Sequence, residues 1–270
     1  MIRLLCQEEI FLIKPQPIPI AHLPVLLFIL LCCVSSNLIA EIAVVADTVD
    51  SRKVFSKTSP KWLAAVGKLQ VPSIKVIEGQ RRNHREDCSA TLISRPGKKS
   101  ADTIVTAWHC LEFYTDLSKD ITFTLLPSSE NPISAQVYRL ADGGSMHADW
   151  AILRLHKPVA AERVLPLLIH PDRASIETLI SMAGYSSDPG LGQGGELLTY
   201  DPSCEVTLHT RNSSNTNCRA FRGASGGAVV QLTSAGEPRL SGVISQGNGE
   251  ELSTFVPVTG FRSAIHQHLN

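Results

Sequence analysis

Three short stretches hold residues whose types suit covalent chemistry. In "RGASGGAVV" (222–230), Ser225 sits among four small residues, three of them glycine, ahead of an apolar run. A serine hydroxyl is a weak nucleophile until a base takes its proton, and the plain alternative is a Gly-Ser-Gly-Gly turn leading into a strand. Of the nine histidines, His109 has the setting a base needs. In "IVTAWHC" a β-rich apolar run ends at the imidazole and Cys110 follows at once; the alternative is a packed core histidine beside a structural cysteine. The third component would be a carboxylate that accepts from the imidazole Nδ1–H, fixing the tautomer and stabilising the imidazolium. "HADWAILRL" puts Asp149 directly before a strongly apolar strand, where burying it would be costly without a partner. Taken alone, Asp149 also reads as a strand-capping aspartate, and Asp142 in "ADGG" as a turn residue.

Such groups need a rigid frame, and 270 residues suffice for one large domain or two small ones. Twenty-five basic and twenty-five acidic residues cancel, so no nucleic-acid footprint is indicated. The one charge cluster, "RRNHRED" (81–87), reads as a solvated loop, with a partner patch as the other reading. From Pro15 to Ala40 there is no Asp, Glu, Lys or Arg, and "LPVLLFILLCCV" (23–34) forms the apolar heart of that stretch. Basic residues before it and small ones after it give the order of a secretory signal, cut after Ser36 or Ala40. The run is also long enough to remain as a membrane anchor. Residues 1–40 are thus expected to be a signal or anchor, and the rest of the chain secreted or periplasmic. Residues 41–60 read as a linker or pro-segment.

Cysteine usage agrees with export. Of seven, Cys6, Cys32 and Cys33 fall in the apolar N-terminal stretch, leaving Cys88, Cys110, Cys204 and Cys218. Four cysteines in an exported chain suggest two disulfides, with three connectivities open. A zinc site competes, but no paired CxxC or HxxxH spacing is present. "SPKWLAAVGKL" (59–69) suits either a helix start or a first strand. Beyond it, ten short β-rich runs follow closely: "SATLIS", "DTIVTAW", "ITFTLL", "SAQVYRL", "WAILRL", "ETLISMAGY", "CEVTLHT", "GAVVQL", "RLSGVIS" and "STFVPV". Turn-forming residues separate most of them, which predicts an all-β barrel or sandwich. "LHKPVAAERVLPLLIHP" (155–171) is the natural hinge, and Thr259 is placed to cap a terminal helix, "GFRSAIHQHL".

Together, "TAWHC", "DWAILRL" and "GASGGAVV", in the order His, Asp, Ser, resemble the trypsin-like (chymotrypsin-fold) serine peptidases. "CSATLIS" and "LSGVISQG" match the strands around the histidine and after the serine. "AVGKL", "AGYSS" and "CEV…NCRAFRGASGG" are similar to compact bacterial members, including the glutamyl-endopeptidase-like group. The likeness covers about residues 60 to 270. It implies two six-stranded antiparallel β-barrels, about 61–157 and 165–258, a C-terminal helix at about 259–269, and a site in the cleft between the barrels. It further implies disulfides Cys88–Cys110 and Cys204–Cys218. The catalytic residues would be His109, Asp149 and Ser225, with the N–H groups of Gly223 and Ser225 forming an oxyanion hole. Arg219, Ala220 and Phe221 would floor the specificity pocket, and Ser245, Gln246 and Gly247 would wall it. Substrates would be proteins or peptides, with no metal or organic cofactor, no nucleic acid, and membrane contact only through a retained N-terminal segment. Ala224 stands where trypsin has the aspartate that pairs with a newly freed N-terminus, so that mode of activation is not expected. Trp108 stands where the family usually has alanine, Arg219 where trypsin has its pocket aspartate, and Ile244 where glutamate-specific members have histidine. An inward Arg219 would attract an acidic side chain. A binding module on the same fold that has lost catalysis is the alternative, whereas the His–Asp–Ser order without a G-x-S-x-G elbow points away from α/β-hydrolases.

Overall fold

The computed structural model describes residues 50–269, and the expected signal or anchor lies outside them. Among the described residues no helix is long and apolar enough to cross a membrane. The chain enters through β1 (Lys53–Val54) and a short 3-10 helix (Lys61–Ala65), so both readings of "SPKWLAAVGKL" hold in turn: the helix, then a strand from Val66. Six strands follow: β2 (Val66–Ile77), β3 (Gln80–Ile93), β4 (Ser100–Thr106), β5 (Ile121–Leu125), β6 (Ile133–Asp142) and β7 (Ala151–Ala160). They close a barrel in the order β2-β3-β4-β7-β6-β5. Apolar side chains from its strands fill it, with Leu69, Leu92, Ile104, Phe123, Ile152 and Leu153 fully or almost fully buried.

The second half contains β8 (Leu168–Ile169), β9 (Ile180–Gly184), β10 (Thr199–Cys204), β11 (Val206–His209), β12 (Ser214–Thr216), β13 (Ala228–Leu232), β14 (Pro238–Gly247) and β15 (Ser253–Pro257). They curl into a sheet ordered β1-β10-β9-β13-β14-β15-β12-β11, with β8 parallel to β14. The all-β chymotrypsin-like architecture expected from the sequence is therefore present, with one correction: the second half is a curled nine-stranded sheet that recruits β1, not a closed six-stranded barrel. Helix α1 (Arg262–His268) closes the described chain; Phe261 and Ile265 share its buried face, and Phe261 stacks on Trp150 at 5.0 Å. Thr259 lies in the preceding 3-10 turn, and no side chain caps α1.

Two local expectations are corrected. Residues 81–87 are strand, not loop: the cluster forms part of β3, paired residue for residue with β2 from Val66↔Thr91 to Ile77↔Gln80. A two-residue turn, Glu78 and Gly79 both at positive φ, closes the hairpin, and such turns fix register strongly. The ribbon's charged side chains are mostly exposed, so it needs no alternating apolar pattern to pair. In the hinge stretch, β7 continues past Leu155 to Ala160, and Leu167 then ties its backbone to Leu92 and Ser94.

Residues 50–55 of the expected linker or pro-segment are folded onto the second sheet: β1 pairs with β10, and Phe55 packs against the core. The buried side chain of Arg52 donates to both oxygens of Asp50 and of Asp188. The side-chain hydrogen bonds from Arg52 hold the Asp50 carboxyl below its ordinary value, against the effect of burial. For Asp188, burial raises the pKa, but Arg52 and the Gly192 N–H together outweigh it and leave the group lowered. A carboxyl depressed on folding contributes stability above its unfolded pKa and loses it as pH falls through the folded value. The thermal midpoint is therefore expected to drop as pH goes below about 4, and Asp188→Asn to flatten that drop, as calorimetry over a pH series would show.

Candidate active site

His109 is held from both sides in sequence. β4 ends at Thr106, and a 3-10 turn (Trp108–Leu111) carries the imidazole out of the barrel wall. Cys110, fully buried, is bonded to Cys88 in β3. The side chain of Asp149, just ahead of β7, is completely buried. Its Oδ1 accepts the His109 backbone N–H at 2.9 Å, and its Oδ2 lies 2.8 Å from His109 Nδ1. Ser245 Oγ donates to the same Oδ2 at 2.5 Å. Three donors thus meet a carboxylate that would be costly to bury alone. With Nδ1–H directed at Asp149, Nε2 is the nitrogen left to accept a proton.

Ser225 lies in a tight double turn, where Ala224 N donates to Phe221 O at 3.0 Å and Gly227 N to Ala224 O at 2.9 Å. Two glycines are required there. Gly223 has φ +90 and Gly226 φ +84, in the left-handed region that side chains disfavour. A Cβ on Gly226 would lie 2.1 Å from both Ser89 O and Thr106 Oγ1, and one on Gly223 2.5 Å from Tyr185 O. Among the described residues, no acceptor takes the N–H of Gly223 or of Ser225. Ser225 Oγ makes a long 3.4 Å hydrogen bond to Ser245 O.

Ser89 ties this turn to the barrel. Its N–H donates to Ser225 O and its hydroxyl to Gly223 O, each at 2.8 Å, while that hydroxyl accepts Tyr185 N–H at 2.8 Å. Ser89 lies within "CSATLIS", but nothing local marks its hydroxyl as a fastener. Ser89→Ala strands two buried partners, so it is expected to cost about 1–3 kcal/mol in stability, read by urea unfolding, and to lower kcat/KM.

His109 and Ser225 line one cleft of about 670 Å³ with Phe221, Ser245, Gln246 and Gly247. Glu112, Met146, Arg222, Asn248, Leu252 and Thr254 complete its lining. Arg219 and Ala220 do not line it. Ala220 is buried, with its carbonyl accepting Gly249 N–H at 3.1 Å. Arg219 is half-buried, with its N–H on Asp201 Oδ2 at 3.3 Å. Trp108 is half-buried and is also absent from the lining. Ser245, expected only in the pocket wall, also braces Asp149. The four cysteines are joined as Cys88–Cys110 and Cys204–Cys218.

A closed barrel, a second curled sheet and a His–Asp pair sharing a cleft with a glycine-collared serine define the chymotrypsin-like class of protease architecture. Protease Anisep from Arthrobacter nicotinovorans has a similar fold, with a TM-score of 0.57 and 19% identity, over 77% of this chain and 97% of that one. No curated protein matches the chain significantly. The Trypsin family profile matches residues 70–265, well over half of the 270 residues, and the chain belongs to that family. Membership supports a serine-protease type of hydrolase acting on peptides or proteins.

Proposed function

We propose that the protein is an exported serine endopeptidase that cleaves peptide bonds through an acyl-enzyme. The observation that carries this reading is the hydrogen-bonded chain Ser245–Asp149–His109, whose two ends line the cleft that also holds Ser225. His109 Nε2 takes the Ser225 hydroxyl proton as Oγ bonds to the scissile carbonyl carbon. Asp149 holds the ring orientation and stabilises the imidazolium. The carbonyl oxygen, now negative, is received by the N–H groups of Gly223 and Ser225, which have no other acceptor among the described residues. His109 then gives its proton to the leaving amine nitrogen, the C–N bond breaks, and the acyl group stays on Ser225. A water attacks the ester with His109 again as base, and the proton returns to Ser225 Oγ as the acid product leaves. The long hydrogen bond from Ser225 Oγ to Ser245 O is weak enough to be exchanged for one to Nε2 when substrate binds.

Two disulfides fit an oxidising compartment, and with the apolar stretch 23–34 they support export. Because Arg219 does not line the cleft, preference for an acidic residue through that guanidinium is not part of the proposal. The test is incubation of the full chain, beside Ser225→Ala, with an unbiased peptide library, reading cuts by mass spectrometry. Cuts made by the parent alone support the reading. Cuts made equally by both would sink it.

A further inference from the structure

The segment ahead of the matched family region lies against the loop that carries Ser225. Asp50–Phe55 precedes residue 70, where the family match begins. Ser51 Oγ donates to Asp201 Oδ2 at 2.8 Å, the same oxygen that accepts the Arg219 N–H. The Arg52 guanidinium carbon stands 4.1 Å from the centroid of the Phe221 ring. Its two terminal nitrogens hold Asp188 at 2.8 and 3.1 Å. Ser187, next to Asp188, donates to Arg222 O from its N at 2.7 Å and from its Oγ at 2.8 Å. Arg219 and Phe221 are therefore each held by this segment or by its direct partner, and Arg222 by Ser187, the chain neighbour of the partner Asp188. Phe221 O in turn accepts Ala224 N–H, so a shift of Phe221 is passed to the backbone of Gly223 and Ser225.

A guanidinium suits the task, because its planar fork bridges two carboxylates while its face stacks on an aromatic ring. The Arg52 side chain is only 2% exposed. Buried ion networks are weak contributors to net stability, so a placement this specific points to positioning.

We propose that Arg52 is a positioning residue for the Phe221–Ser225 loop, and that Asp50–Phe55 belongs to the working catalytic unit. The expected loss of activity rests on the peptidase reading; the bracing itself does not.

Hydrogen exchange on the full chain tests it without needing turnover, comparing the parent with Arg52→Met, Arg52→Lys and Asp188→Asn. In Arg52→Met the amides of Ser187 and Ala224 are expected to exchange about ten-fold faster or more, while those of β4 and β7 keep their rates. Arg52→Lys retains the charge without the bridge and is expected to fall between, and Asp188→Asn to resemble Arg52→Met. If Arg52→Met does not fold, the other two variants carry the comparison. On a cleaved peptide, kcat is expected to fall about 100-fold in Arg52→Met with little change in KM, and to recover in part in Arg52→Lys. Unchanged exchange at Ser187 and Ala224, or an equal rise throughout the barrel, would overturn the proposal. So would an active natural form whose chain begins after Phe55. Local loosening in the variants with no turnover by the parent would support the brace and remove the peptidase reading.

Discussion

Ser225→Ala and His109→Ala are each expected to lower kcat by a factor on the order of 10⁴ to 10⁶, and the double variant to lose no more than the worse single one. The reason is that one proton joins the two groups. Without His109 the Ser225 hydroxyl has no base, and without Ser225 the imidazole has no nucleophile to activate. Ser225 Oγ makes only a long hydrogen bond in the free protein, so its removal is expected to shift stability by no more than about 0.5 kcal/mol. Steady-state kinetics on one cleaved peptide, beside urea unfolding of the same samples, checks both halves. Losses that multiply in the double variant would mean that the residues act separately.

Asp149→Asn is expected to lower kcat about 10⁴-fold while leaving the backbone in place. Oδ2 takes hydrogen bonds from His109 Nδ1 and Ser245 Oγ, and Oδ1 takes the His109 N–H. An amide group at the Oδ2 position would set its NH₂ against two donors. Relief requires the imidazole to move its proton to Nε2, which leaves the nitrogen facing the cleft unable to take the serine proton. The flipped amide fares no better, since its NH₂ then meets the His109 backbone N–H. In a fully buried position water cannot repair either mismatch. A kcat within ten-fold of the parent would refute Asp149 as the orienting group.

The residues of this constellation were legible because each has a local signature. Ser225 has its glycine collar, His109 ends an apolar strand beside a cysteine, and Asp149 stands before an apolar strand. The ten expected strands are also present: β5 alternates buried and half-buried residues, while β13 and the middle of β14 are short, continuously buried runs between turn formers. Partners far apart in the chain were not legible. Ser245 reaches Asp149 across 96 residues, and Arg52 reaches Asp188 across 136; neither serine nor arginine stands out where it occurs. β10, "TYDPSC", was missed because Asp201 and Pro202 are turn formers. Its pairing with β9 keeps register only as far as Asp201 before it shifts. The 81–87 cluster was misread because its side chains are polar and mostly exposed, so the strand itself shows no apolar alternation. Of the expected pocket floor, Phe221 lines the cleft but Arg219 and Ala220 do not. Whether Arg219 lines the cleft depends on the path of the loop, here set by the hydrogen bond between Ala220 and Gly249.

Labelling with a serine-directed phosphonate tests the central claim most directly. The full chain would be treated with the probe beside His109→Ala, digested, and searched by mass spectrometry for the modified peptide. One adduct is expected, on Ser225 in the parent, forming far more slowly in His109→Ala. An unlabelled Ser225, or labelling at the same rate without His109, would contradict it.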